Sequence, residues 1–102
     1  MTRIAVLSDV HGNLIALEAT LAAIRLAKPD AILVAGDLVL NGPDPCGALD
    51  AVRALADDGA LVVSGNTDVA VADFDYGAAF PQYRDGVPEQ VRVAAEWAHD
   101  EL

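Results

Sequence analysis

Four polar side chains follow directly after three apolar runs of the sequence. Asp9 and His11 follow the first run, Asp37 follows the second, and Asn66 follows the third. Carboxylate oxygens, an imidazole nitrogen and an amide oxygen are suitable ligands for divalent ions such as Mn, Fe and Zn. We therefore predict metal chemistry at these residues, provided that the fold brings the ends of the three runs together.

Each of these residues also has an ordinary structural explanation when it is taken singly. An Asp after a strand often caps the next helix, a Gly-Asn pair often makes a turn, and a lone His often completes a local hydrogen-bond network. Four such groups at one dry edge would cost on the order of several kcal/mol through desolvation and carboxylate repulsion, unless a cation neutralised them. The presence of all four polar side chains at one edge of the sheet therefore favours a metal site.

The three apolar runs predict the strands that would position these side chains. They are "RIAVLSD", "AILVAGD" and "ALVVSGN", each closed by a small residue and then by a carboxylate or an amide. Continuous apolar runs bounded by turn residues are typical of parallel strands that are buried on both faces. We therefore predict three buried parallel strands.

Two amphipathic segments separate the strands and predict helices. The first covers 13–27, with Asn13 as its N-cap, and the second covers 44–57, with Asp44 as its N-cap and Pro45 at the first helical position. The resulting order predicts an α/β fold: a βαβαβ parallel sheet with flanking helices. In such a fold the carboxyl ends of the strands share one edge, which is where ligands bind.

Composition narrows the function classes. The chain has 102 residues, a net charge of −10 and only six basic residues, so a surface for the nucleic-acid backbone is not expected. No apolar run approaches the about 18 residues of a membrane span, and nothing resembles a signal peptide. Cys46 is the single cysteine, so no disulfide is expected. We expect a cytoplasmic protein of one domain or less.

Three motifs carry a family resemblance. They are "DVH" at 9–11, "GDLVLNGPDP" at 36–45 and "GNTD" at 65–68. With these motifs the chain resembles the N-terminal half of the calcineurin-like metallophosphoesterases, and "SDVHGNLIALEA" looks especially like their bacterial, single-domain phosphodiesterase-like branch. The resemblance covers nearly all of residues 1–102 and only part of the family's domain. It implies half of an α/β/β/α sandwich, whose inner sheet face would lack the second sheet that covers it in the complete domain.

The resemblance also implies residue roles. Asp9 and His11 would bind one divalent metal, Asp37 would bridge two metals, and Asn66 would bind the second. Asn66 and Asp68 are the candidate catalytic residues. The implied cofactor is a pair of divalent ions, with Mn, Fe, Zn, Ni and Co all compatible. The implied reaction is hydrolysis of a small-molecule phosphoester by water activated at the metal pair.

The chain departs from the family pattern in two respects. Many members have a histidine after the Gly-Asn pair, where this chain has Thr67, so leaving-group protonation has no assigned residue. Asp68 either supports the site through hydrogen bonds or caps a short helix. The family also completes its ligand set with later histidines that these 102 residues lack. We therefore expect either a missing C-terminal half or self-association.

The last segment, "VPEQVRVAAEWAHDEL", predicts a helix that begins at a Pro-Glu pair. We place His99 on the surface of this helix, because ligands in this fold collect at strand ends, and we place Trp97 in the core. The preceding stretch "ADFDYGAAFPQYRDG" is predicted to be a loop whose aromatic residues cover the sheet.

Two other functions compete with a phosphoester hydrolase. One is a non-catalytic metal-binding or assembly half-domain that retains the same four polar residues. The other is a nucleotide-binding domain, but the sequence after the second strand lacks both G-x-G-x-x-G and the P-loop lysine. Dependence of activity on divalent metal separates the first two, and nucleotide binding without metal would favour the third.

Overall fold

The sheet has three parallel strands in the order in which they occur along the chain. The computed structural model describes residues 1–102, with β1 at Ile4–Leu7, β2 at Ala31–Val34 and β3 at Leu61–Val62. In the register Leu7 pairs with Val34, and Val34 pairs in turn with Val62. The predicted α/β class and parallel order are confirmed, although each strand is shorter than its apolar run.

Two long helices connect the strands. Helix α1 spans Leu14–Ala27, and helix α2 spans Pro45–Asp57. The predicted caps are confirmed: Asn13 accepts a hydrogen bond from the Ala16 N–H, and Asp44 accepts one from the Gly47 N–H. These side chains satisfy backbone donors that have no partner within the helix.

Three more helices follow the sheet. They are α3 (Asn66–Asp73), α4 (Tyr76–Ala79) and α5 (Glu89–Glu101). The stretch predicted to be a loop therefore contains a short helix, which Asp75 caps through the Ala78 N–H. Of its aromatic residues Phe80 is buried, whereas Phe74 and Tyr83 are exposed. None of the five helices combines the length and apolar character that a bilayer-spanning helix needs.

One face of the sheet is covered by the connecting helices. Leu7 and Val34 lie on this face and are buried in one apolar cluster with Leu17, Leu21 and Val52. Successive strand residues alternate between faces, so the side chains of Ile4, Val6 and Leu61 point to the other side.

The other face of the sheet is open. The exposed fraction is 63% for Ile4, 62% for Val6 and 72% for Leu61. The prediction that the strands are buried on both faces is therefore wrong for these 102 residues. The reason is topological, because α1 and α2 both cross on the same side and no other element of the chain covers the opposite side.

Helix α5 packs through its alanines. Ala95 and Ala98 are fully buried, but Trp97 is 45% exposed, so its predicted core position is wrong. Consecutive helical residues are about 100° apart, which places Trp97 about 130° around the helix from the midpoint between the buried Ala95 and Ala98. The buried face of α5 is therefore formed by alanine side chains rather than by the aromatic ring of Trp97.

Candidate metal centre

Backbone hydrogen bonds join the loops that follow β1 and β2. Three N–H groups of the first loop donate to carbonyl groups of the second: Asp9 to Gly36 at 3.1 Å, His11 to Asp37 at 2.9 Å and Gly12 to Leu38 at 2.8 Å. The loops thus continue the strand pairing beyond the sheet. This arrangement holds the "DVH" turn directly against Asp37.

The three candidate ligands on these loops have left-handed backbone conformations. The φ angle is 59° at Asp9, 48° at His11 and 59° at Asp37. Asp and His are among the non-glycine residues that tolerate this region best, yet each instance costs on the order of 1 kcal/mol or more. Three of the six non-glycine residues with positive φ are therefore the residues whose side chains converge.

The converging side chains fit a divalent cation. Asp9, His11 and Asp37 each offer one ligand atom, and these atoms all lie within 4.8 Å of one another. Atoms that bind one ion at about 2.0–2.2 Å lie about 3–4 Å apart, so a small adjustment would allow all three to bind. Two carboxylates and an imidazole also match the donor preferences of Mn, Fe and Zn.

The hydrogen bonds of His11 favour the form that binds metal. Nδ1 lies 2.9 Å from the Leu40 carbonyl oxygen, which can only accept, so Nδ1 carries the proton. In the neutral ring the Nε2 lone pair then points at Asp9 Oδ1, 3.1 Å away. Two acceptors at this distance repel each other, and a cation between them would convert the repulsion into binding.

Asp9 is available as an anion. Hydrogen bonding by Ser8, the largest cause, holds the pKa of the Asp9 carboxyl below its usual range. The carboxylate is also largely exposed, with 66% of its side chain accessible. A cation could therefore reach Asp9 without first displacing a proton or a buried partner.

Asp37 is held on one side only. Its Oδ1 accepts a hydrogen bond from the backbone N–H of Thr67 at 3.1 Å and another from the Thr67 hydroxyl at 2.6 Å. No donor of the chain contacts Oδ2. The carboxylate is thus fixed against the first turn of α3, and one oxygen remains for a ligand.

Asp68 joins the second and third loops. Its Oδ2 accepts hydrogen bonds from the N–H groups of Asp37 and Gly65, both at 2.8 Å, and its Oδ1 accepts one from Leu38 at 2.7 Å. The sequence left open whether Asp68 supports the site or caps a helix. The structure shows both sets of contacts at once, because the bond to Gly65 closes the first turn of α3.

Two glycines allow the loops to approach this closely. A Cβ atom at Gly65 would overlap Asp37 Oδ1, and a Cβ atom at Gly36 would overlap the backbone of Gly65. Gly36 also has a φ of 96°, which side chains rarely adopt. The Gly-Asp and Gly-Asn pairs of the motifs therefore have a steric explanation.

Asn66 is the first residue of α3. Its side-chain N–H donates to the Ala79 carbonyl oxygen at 3.0 Å, which leaves the amide oxygen free to bind a cation. Both of its neighbours, Gly65 and Thr67, contact Asp37. Its assignment as a metal ligand, like the catalytic assignments of Asn66 and Asp68, stays a prediction.

His99 lies outside the cluster of candidate ligands. Its Nδ1 is 2.7 Å from the Val71 carbonyl oxygen, and its ring packs on Phe74 with centroids 4.6 Å apart. The sequence reasoning did not identify Leu40 or Thr67 as contacts of the site. No sequence signal indicates that the Leu40 carbonyl contacts His11. Thr67 lies inside the "GNTD" motif, but the motif indicates only that it occupies the position where many family members have a histidine.

A family model provides the first comparison with known proteins. The model described as calcineurin-like phosphoesterase matches residues 2–100. No curated protein sequence matches the chain. The family match covers all of the candidate ligands.

Solved structures provide the second comparison. A hypothetical protein from Pyrococcus horikoshii OT3 is 27% identical over 100% of the chain, with a TM-score of 0.82. A metallophosphoesterase from Sphaerobacter thermophilus is 35% identical over 99%, with a TM-score of 0.69. A protein described as a candidate diadenosine tetraphosphatase is 25% identical over 93%, with a TM-score of 0.54. The matches cover 44%, 36% and 46% of those chains, so this chain spans less than half of their length.

Proposed function

Because the chain belongs to the calcineurin-like phosphoesterase family, we propose that it provides part of the active site of a metal-dependent phosphoester hydrolase. The observation that carries this proposal is the convergence of Asp9, His11 and Asp37, whose ligand atoms lie within 4.8 Å of one another at the carboxyl ends of two parallel strands. The left-handed backbone at all three residues supports it, since such conformations are typical of functional sites.

Each residue has a distinct role in this proposal. Asp9 and His11 hold one divalent ion, Asn66 holds a second, and Asp37 contributes a negative charge to both, which offsets the repulsion between two nearby dications. Bound ions would supply Lewis acidity and an activated water molecule. The chain's own contribution is to fix the ligands, through the loop hydrogen bonds and through the contacts of Asp37 with Thr67 and Asp68.

We propose a small-molecule phosphoester as the substrate. One structural relative is described as a candidate diadenosine tetraphosphatase, which agrees with a small phosphorylated substrate for this chain. The net charge of −10 opposes contact with a long polyanion, so a nucleic-acid backbone is a poor candidate. We further propose Mn²⁺ as a suitable ion and the cytoplasm as the location.

The open sheet face suggests that residues 1–102 form the N-terminal half of a larger site. The relatives are more than twice as long as the matched region, and the uncovered face exposes Ile4, Val6 and Leu61. We propose that a second polypeptide region or a second copy of the chain covers this face. The remaining metal ligands would come from that covering region.

Calorimetry with Mn²⁺ tests the metal site directly. We expect Asp37→Asn to weaken Mn²⁺ binding more than tenfold and more than substitution of any other proposed ligand, because it removes the charge shared by both ions. Asp57→Asn is the matched control, since Asp57 is exposed at the end of α2, and it should bind within twofold of the unmodified chain. Equal binding by Asp37→Asn and Asp57→Asn would refute the proposed role.

A second candidate function is a non-catalytic metal-binding or assembly half-domain. The exposed apolar sheet face favours it, because a contiguous surface of this kind is typical of an interaction site. The two functions differ in one measurement. The second candidate would be supported if the chain, together with the polypeptide that covers its open sheet face, binds Mn²⁺ but does not hydrolyse an aryl phosphodiester.

A further inference from the structure

Thr67 is the one polar residue in the buried set of the chain, with 8% of its surface exposed. Its hydroxyl donates to Asp37 Oδ1 at 2.6 Å, a short bond of the kind made by a charged acceptor. A buried hydroxyl must find a partner, and this partner is the carboxylate at the centre of the candidate metal site.

The backbone of the same residue strengthens the contact. Thr67 is the second residue of α3, and its N–H also donates to Asp37 Oδ1, at 3.1 Å. The N-terminal N–H groups of a helix have no partner within the helix and favour an anion. Asp37 Oδ1 thus accepts two hydrogen bonds from one residue, whereas Oδ2 accepts none from the chain.

This asymmetry distinguishes the two carboxylate oxygens. A free carboxylate can rotate and present either oxygen to a cation, and rotation would break the Thr67 hydrogen bond. We propose that Thr67 is a positioning residue, whose hydroxyl holds Asp37 Oδ1 against α3 and thereby reserves Oδ2 for the cation. The inference rests on the proposed metal site and assigns Thr67 a role through Asp37 rather than through the substrate.

A valine substitution tests this role with little change in shape. Thr67→Val replaces the hydroxyl with a methyl group and keeps the backbone N–H bond, whereas Thr67→Ser keeps the hydroxyl. Hydrogen bonds to metal ligands typically change metal affinity 10- to 100-fold, so we expect about a tenfold loss of Mn²⁺ affinity for Thr67→Val. We expect Thr67→Ser to stay within about threefold of the unmodified chain.

Thr20→Val is a control for the threonine-to-valine change itself, because the Thr20 hydroxyl donates to the Ala16 carbonyl within α1. The measurement is calorimetric titration of each metal-free protein with MnCl₂, with the folded fraction determined by circular dichroism. A purely structural role would lower the folded fraction and leave the affinity of the folded protein unchanged. If Thr67→Val does not fold, Thr67→Ser and Thr67→Ala provide a second pair that differs by the hydroxyl alone.

Each outcome separates this inference from the proposed function. A tenfold loss for Thr67→Val with retention by Thr67→Ser supports the positioning role. If the unmodified chain binds Mn²⁺ and folded Thr67→Val binds it equally well, the positioning role is refuted and the metal site stands. If the unmodified chain binds no Mn²⁺, both the metal site and the role of Thr67 are refuted.

Discussion

Replacement of Asp68 by asparagine should destabilise the fold by about 2–4 kcal/mol. The carboxylate accepts three backbone N–H groups from two different loops, at 2.7–2.8 Å. A hydrogen bond to a charged group contributes about 1.5–3 kcal/mol. An asparagine oxygen in the place of Oδ2 would keep the bonds to Asp37 and Gly65, but its NH₂ group would then meet the Leu38 N–H.

Three losses contribute to this destabilisation. The hydrogen bond from Leu38 is lost, and the bonds from Asp37 and Gly65 become weaker because their acceptor is no longer charged. The negative charge at the start of α3 is also lost, which is worth about 0.3–1 kcal/mol. A single domain is stable by about 5–15 kcal/mol, so the loss is a large fraction of the total. Mn²⁺ affinity should fall as well, because Asp68 holds the backbone of the proposed ligand Asp37.

Urea denaturation followed by circular dichroism, in the presence of EDTA, measures the change in unfolding free energy. Asp73→Asn is the matched control: it makes the same chemical change at the other end of α3, where the removal of negative charge should be neutral or slightly stabilising. If Asp68→Asn lies within about 0.5 kcal/mol of the unmodified chain, the three hydrogen bonds do not support the site as argued.

The other predictions concern packing and the open face. Gly65→Ala should lower stability by about 1–3 kcal/mol and weaken Mn²⁺ binding, since its Cβ would overlap Asp37 Oδ1. Gly77→Ala should do neither, since its Cβ would meet only the Asp75 side chain at an ordinary contact distance of 3.8 Å. Unfolding curves and Mn²⁺ titrations of both variants check this. The unmodified chain should self-associate through its exposed sheet face, and Val6→Lys with Leu61→Lys should shift it toward monomer in sedimentation velocity. A strictly monomeric unmodified chain would contradict that expectation. The chain alone should also show little Mn²⁺-dependent hydrolysis of an aryl phosphodiester, and strong turnover by a monomer would mean that its own residues complete the site.

Local patterns in the sequence were sufficient to locate the three strands and the starts of α1 and α2, but not the ends of the strands or the short helix α4. The apolar runs located the three strands, and the caps Asn13 and Asp44 located the starts of α1 and α2, because a cap acts on N–H groups within the next three residues. Strand order and parallel direction followed from the alternation of strands and helices. The α/β fold class could therefore be predicted from these patterns, whereas the family was indicated by the resemblance of the three motifs.

The same local patterns failed where burial depends on distant parts of the chain. An apolar strand has the same sequence whether one face or both faces are covered, so the exposure of Ile4 and Val6 did not follow from the strand pattern and was implied only by the resemblance to half of a two-sheet sandwich. Trp97 was misplaced for a similar reason. Its burial depends on which side of α5 meets the rest of the fold, and the small alanines, not the largest apolar residue, form that contact.

The sequence by itself determined which residue types arrive at the carboxyl edge of the sheet, since position in a βαβ unit follows from chain order alone. Only the tertiary structure decided how those residues are held. The contact of Leu40 with His11 and the contacts of Thr67 and Asp68 with Asp37 join residues about 30 positions apart in the chain. Such bonds depend on distances between loops, and loop distances are set by the packing of all three strands, which no short motif encodes.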